Sequence, residues 1–98
     1  TIQGGEYGTA LQAAACGRNI NIVQLLLDRN VDVNFQGGQY GTALQAAAYK
    51  ENEDIVRLLL DRNADVNLQG GEHGTALQAA VAFGSKDIAK CLLENGAD

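Results

Sequence analysis

Gly8-Thr9-Ala10-Leu11-Gln12-Ala13-Ala14 is written three times in this chain, returning unchanged at residues 41–47 and again at 74–80. Thr9, Thr42 and Thr75 are therefore 33 residues apart on both occasions (42 − 9 and 75 − 42). A constant period within about 20–50 residues marks a solenoid, in which one supersecondary unit is stacked on the next. Three units fill the 98 residues as 1–33, 34–66 and 67–98, the last one residue short.

Each unit reads as the same three parts. Gly4-Gly5-Glu6-Tyr7-Gly8, with counterparts at 37–41 and 70–74, holds enough glycine for positive-φ backbone and predicts a hairpin-like turn. Thr-Ala-Leu-Gln then forms a capping box, predicting a helix that opens at Thr9, Thr42 or Thr75. Its alanines, Ala13 to Ala15 in the first copy, permit close approach of a neighbouring helix. A second helix carries Ile22, Val23, Leu25, Leu26 and Leu27, matched by residues 55–60 and by Ile88, Ala89, Cys91, Leu92 and Leu93. Asn21, Asp54 and Asp87 lead it in, suiting the positive end of a helix dipole. Asn30, Asn63 and Gly96 follow it, residue types that accept a left-handed C-terminal position. Neither helix exceeds about ten residues, below the length at which isolated helices persist in water. The units are stable only when stacked, and the fold class is all-α: three helix-turn-helix units joined by hairpin-like loops.

Composition narrows the partners. A hydrophobic fraction of 46% with 19% charged residues fits a globular domain. A net charge of −5 argues against nucleic acid and anionic membrane as partners. No apolar run approaches the roughly 18 residues that span a bilayer. The chain has neither an initiator Met nor a leader-like segment, so it reads as an excised module. Cys16 and Cys91 occupy unrelated points of the period, which implies no disulfide framework and favours a reducing, intracellular and cytoplasmic setting.

The residues resemble the ankyrin repeat over essentially the whole chain. Thr-x-Leu-x-x-Ala-Ala occurs three times, as does the Ile-(Val/Ala)-x-(Leu/Cys)-Leu-Leu run. The closing signature stands as Asn63-Ala64-Asp65-Val66-Asn67 and Asn95-Gly96-Ala97-Asp98. Departures are present. Ala10 and Gln12 stand where the family has Pro and His, and the family's hairpin Gly falls on Tyr7, Tyr40 and His73. The Gly-Gly-x-(Tyr/His)-Gly hairpins in near-identical copies resemble the repeat arrays of fungal NLR-like proteins, in which a nucleotide-binding switch carries the array. Leu26 to Asn34 and Leu59 to Asn67 also resemble ankyrin segments modified by asparaginyl hydroxylase, although Asp-Val-Asn serves equally as the entry to the hairpin.

Nothing in the sequence assembles an enzyme, cofactor or metal site. His73, the single histidine, takes the place held by Tyr7 and Tyr40, an exchange that a catalytic base would not tolerate. Cys91 replaces a helix-core leucine and reads as a small buried hydrophobe, whereas Cys16 reads as exposed. The glycine-rich segments lack the spacing and the lysine of a phosphate loop. Glu51, Glu53 and Asp54 read as the solvated end of a helix.

What remains is contact surface. Comparing the copies separates an unvarying scaffold from positions that change, namely Cys16/Tyr49/Ala82, Gly17/Lys50/Phe83 and Arg18/Glu51/Gly84. Smaller changes occur at Glu6/Gln39/Glu72 and Tyr7/Tyr40/His73. The resemblance implies that hairpin tips and the exposed side of the first helix form a concave binding face. It assigns Glu6, Tyr7, Cys16, Gln39, Tyr40, Tyr49, Lys50, Glu72, His73, Ala82 and Phe83 to contact with a protein partner. Tyr40, Tyr49 and Phe83 are the expected anchors, since aromatics bring large contact area at modest entropy cost. The alternative function is a structural spacer or self-associating segment. Neither end unit has a polar outer face, so end-to-end association is expected through Ala14, Val23 and Leu26 at one end and Cys91, Leu92 and Leu93 at the other.

Overall fold

The computed structural model describes the backbone of residues 4–37, 40–71 and 74–97, and the side chains within those stretches from residue 10 onward. Among the described residues the chain forms six helices: α1 (Gly4–Cys16), α2 (Ile20–Asp28), α3 (Ala43–Tyr49), α4 (Glu53–Asp61), α5 (Ala76–Ala82) and α6 (Lys86–Glu94). Each odd-numbered helix packs on the even-numbered one that follows. The pairs then stack, with α3 between α1 and α5 and α4 between α2 and α6. The outline is elongated, 38 × 23 × 22 Å, as one-dimensional stacking requires.

Small side chains set the spacing of the inner row. Ala46, Ala47 and Ala48 of α3 are completely buried, as is Ala80 of α5, so neighbouring helices approach with little between them. Leu44, Ile55, Val56 and Leu59 fill the middle of the core, with Leu11, Val23 and Leu92 towards its ends.

The capping boxes form at Thr42 and Thr75. Thr42 Oγ1 accepts from the Gln45 amide at 3.2 Å, and Gln45 Oε1 accepts from the Thr42 amide at 2.8 Å. Thr75 and Gln78 repeat both bonds at the same distances. Asn30, Asn63 and Gly96 take φ of 61°, 72° and 95°, the left-handed stop expected after the second helix of each unit.

Among the described residues a backbone bond closes each hairpin, Gly37 N to Gly41 O at 2.8 Å and Gly70 N to Gly74 O at 2.9 Å. Gly41 and Gly74 have φ of 83° and 77°, and a Cβ at either would collide with the capping glutamine's Oε1. The preceding unit completes each hairpin. Gln12 Nε2 donates to Phe35 O at 3.2 Å and Gly41 O at 2.8 Å, and Gln45 Nε2 donates to Gly70 O and Gly74 O.

Two expectations need correction. The segment Gly4 to Gly8 is not a turn, and Thr9 does not open a helix, because α1 begins at Gly4 and runs through both. The physical reason lies in those glutamine bridges. Gly41 and Gly74 are each held by a glutamine 29 residues upstream, whereas the segment from Gly4 carries its backbone bonding within α1. The bare edges also differ. Ala14 and Val23 are buried and Leu26 half-buried, while Ala13, Ile22 and Leu25 are exposed. In the third unit Cys91 and Leu92 are buried and Leu93 is exposed.

Candidate functional site

Three of the variable positions, Tyr40, Tyr49 and Phe83, meet. Tyr40 precedes the Thr42 cap, Tyr49 is the last residue of α3, and Phe83 is the C-cap of α5. The rings of Tyr40 and Tyr49 lie 5.1 Å apart, tilted by 50°, and those of Tyr49 and Phe83 lie 4.7 Å apart, edge to face at 82°. Both distances are those of attractive aromatic pairs. Lys50, exposed, places its ammonium 5.3 Å from the centre of the Tyr49 ring, within cation–π range. The alternation of scaffold and variable residues thus builds a continuous run of three rings across the second and third units. Tyr40 and Tyr49 are half-buried against the core, and Phe83 is 44% exposed.

The other assigned residues are more dispersed. Cys16 ends α1 and is half-buried against the core, which corrects the expectation of an exposed thiol. Ala82, exposed, ends α5 beside Phe83. Gln39, Glu72 and His73 lie outside the described residues, as do the side chains of Glu6 and Tyr7.

A second feature lies at the loops joining the helices of a unit. Asn52, the N-cap of α4, makes no capping bond and is buried instead. Its Nδ2 donates to Ala15 O at 2.6 Å, and its Oδ1 accepts from Arg18 Nε at 2.6 Å, tying the second unit to the first. Ser85, in the same column, donates to Glu51 Oε1 at 2.8 Å. Arg18 and Glu51 adopt φ of 65° and 60°, a conformation that disfavours any residue with a Cβ. Residue type gives no hint of this; only Gly84 at the same point of the third unit does.

Beside these loops an open depression of about 500 Å³ is lined by Arg18, Glu51, Asn52, Glu53, Asp54 and Arg57. One ion pair lies within its wall. Arg57 pairs with Glu53 at 2.6 Å, which raises the guanidinium above its ordinary value, and Arg18 binds Asn52. Burial raises the Cys91 thiol above its ordinary value, which suits a packing residue rather than a nucleophile. Among the described residues no three His, Cys, Asp or Glu side chains gather as metal ligands. No described helix is long and apolar enough to cross a membrane.

Paired helices stacked at a fixed period, with hairpins held by the preceding unit, define a helical-repeat protein. The chain belongs to the ankyrin repeat family: a family model described as ankyrin repeats in three copies matches residues 2–70 and again 36–98. Ankyrin repeats are generally protein–protein interaction modules and generally non-catalytic. Over 31 residues the chain is 58% identical to a Monascus ruber protein named azaphilone pigments biosynthesis cluster protein L. That match covers 32% of this chain and 7% of the fungal protein.

Proposed function

We propose that this chain is a protein-recognition segment whose partner lies along the Tyr40, Tyr49 and Phe83 rings on the concave side of the stack. The supporting observation is the ring run itself: residues that differ between otherwise near-identical copies meet at 5.1 and 4.7 Å. Drift on a surface has no reason to bring its aromatics into contact. Phe83 offers the most open ring, Tyr49 holds it in place, and Lys50 supplies a cation at the margin. The three units, 1–33, 34–66 and 67–98, form one domain within a longer intracellular array. The narrower reading is the recognition part of an NLR-like sensor. It rests on the glycine-rich hairpins and near-identical copies, and the stretch shared with a fungal protein is in keeping with it.

Phe83→Ala is the cleanest variant, because Tyr40 and Tyr49 also pack on the core and their loss would disturb folding. Quantitative affinity capture with the unaltered chain, Phe83→Ala and Arg57→Ala should show partner retained by the first and third. Phe83→Ala should lose about 1–3 kcal/mol of binding. Loss with Arg57→Ala and retention with Phe83→Ala would place the binding surface on the opposite side.

A further inference from the structure

The side chains of this chain that oxidise most readily gather at two points of the repeat. The sequence has no Met and no Trp, and its three tyrosines are Tyr7, Tyr40 and Tyr49. Tyr7 and Tyr40 share one column with His73, and Tyr49 shares the other with Cys16 and Ala82. In the second unit the two columns meet, the rings of Tyr40 and Tyr49 lying 5.1 Å apart and tilted by 50°. Both residues are half-buried, so each ring is held against the core and still reaches solvent. The unit that carries them is stacked on both sides.

We propose that Tyr40 and Tyr49 form an oxidative cross-linking site, joined as dityrosine by a one-electron oxidant of the peroxidase and hydrogen peroxide class. Each phenol gives up one electron and its hydroxyl proton. The two phenoxyl radicals then couple through the carbons beside their oxygens, and the hydrogen on each of those carbons moves to the oxygen of its own ring. The two electrons and two protons released convert one hydrogen peroxide to two waters, so the protein loses two hydrogens in all.

Position favours this pair over other outcomes. Coupling needs two radicals in contact, and rings held side by side turn a bimolecular step into an intramolecular one. Tyr49 is the fixed member, at the end of α3 with the Phe83 ring edge to face against it at 4.7 Å. Phenylalanine has no hydroxyl proton to release, so the radical is not passed on to Phe83. Tyr40 is the adjustable member, because it lies in the hairpin, outside any helix and beside Gly41. The two are nine residues apart (49 − 40), and the new bond fastens the hairpin to the end of α3. Competing groups react differently: a thiol takes up oxygen rather than forming a carbon–carbon bond, and Cys91 is buried. Thiols reopen a disulfide by exchange but not a carbon–carbon bond, so the cross-link persists in a reducing compartment.

The test treats the 98-residue chain with a haem peroxidase and hydrogen peroxide, with free tyrosine alongside as a substrate that couples under the same conditions. The monomer should lose two hydrogens in mass and gain the blue fluorescence of dityrosine. A protease that cuts after Leu44 should leave residues 40 and 49 joined. Product within one chain should exceed product between chains at least about tenfold. Tyr40→Phe and Tyr49→Phe keep both rings, and each should abolish the product with little change in the thermal melt. Should either fail to fold, the peptide map of the unaltered chain decides alone. Absence of dityrosine in the chain while free tyrosine couples overturns the proposal. So does a cross-link that maps to Tyr7, that joins separate chains, or that survives in either phenylalanine variant.

Discussion

At Thr42 one hydroxyl decides where α3 begins. The residue is extended, with φ −119° and ψ 169°, and its side chain takes up an amide that the first helical turn leaves unpaired. Thr42→Ala should cost about 1 kcal/mol, the usual loss for an N-cap. Ala43 is the first helical residue, where an amide has no helical partner to lose and proline's fixed φ is already suitable. Thr42 also has the extended backbone that a following proline demands. Ala43→Pro should therefore leave stability unchanged or raise it by up to about 1 kcal/mol; urea titration of both variants measures the pair, and a large loss in Ala43→Pro would mean the helix starts upstream. The cap was readable because threonine and glutamine at this spacing carry their own geometry. The left-handed stops at Asn30, Asn63 and Gly96 were readable for the same reason. Arg18 and Glu51 were not, since neither side chain signals a positive φ.

Among the elements, α4 is tied to the preceding unit by Asn52. Asn52→Ala removes both of its buried bonds and strands the Ala15 carbonyl, which should cost about 1–3 kcal/mol. Asn19 opens α2 in the same column but is exposed, so Asn19→Ala should change stability by no more than about 0.5 kcal/mol. Thermal melts of the two variants side by side would show the contrast, and equal losses would mean that Asn52 acts only as a helix start. The sequence offered no way to tell them apart, because asparagine before a helix reads as a cap. The bare edge shows another limit. Ala14, Val23 and Leu26 were each one residue away from the exposed Ala13, Ile22 and Leu25, and one residue turns a helix by about 100°. Periodicity reveals that a face exists more readily than which side of it meets the neighbour. Comparing the columns singled out Tyr40, Tyr49 and Phe83, whose rings lie against one another, because variation there contrasts with an unvarying background.

Across the whole molecule each unit touches only its neighbours, so local opening should begin at the ends. The two thiols report it. Cys16 is half-buried in the first unit; Cys91 is buried in the third, its thiol raised by burial and so less ionised at neutral pH. Alkylation followed by mass should modify Cys16 first, with Cys91 protected until urea opens the third unit. Equal rates without denaturant would mean that α6 is detached from the stack. The repeat architecture was fully legible because a constant period admits no other reading. The helical form of the first glycine-rich segment was not, because that segment differs from its counterparts only where Gln39 replaces Glu6 and His73 replaces Tyr7, and neither exchange separates helix from turn.

The glutamine bridges have a direction: Gln12 holds the hairpin at Gly41, and Gln45 holds the one at Gly74. During synthesis each of these glycine-rich segments leaves the ribosome after the side chain that will fix it. Neither has to wait for a later part of the chain, and the conformation of each tongue is handed down from the unit made before it.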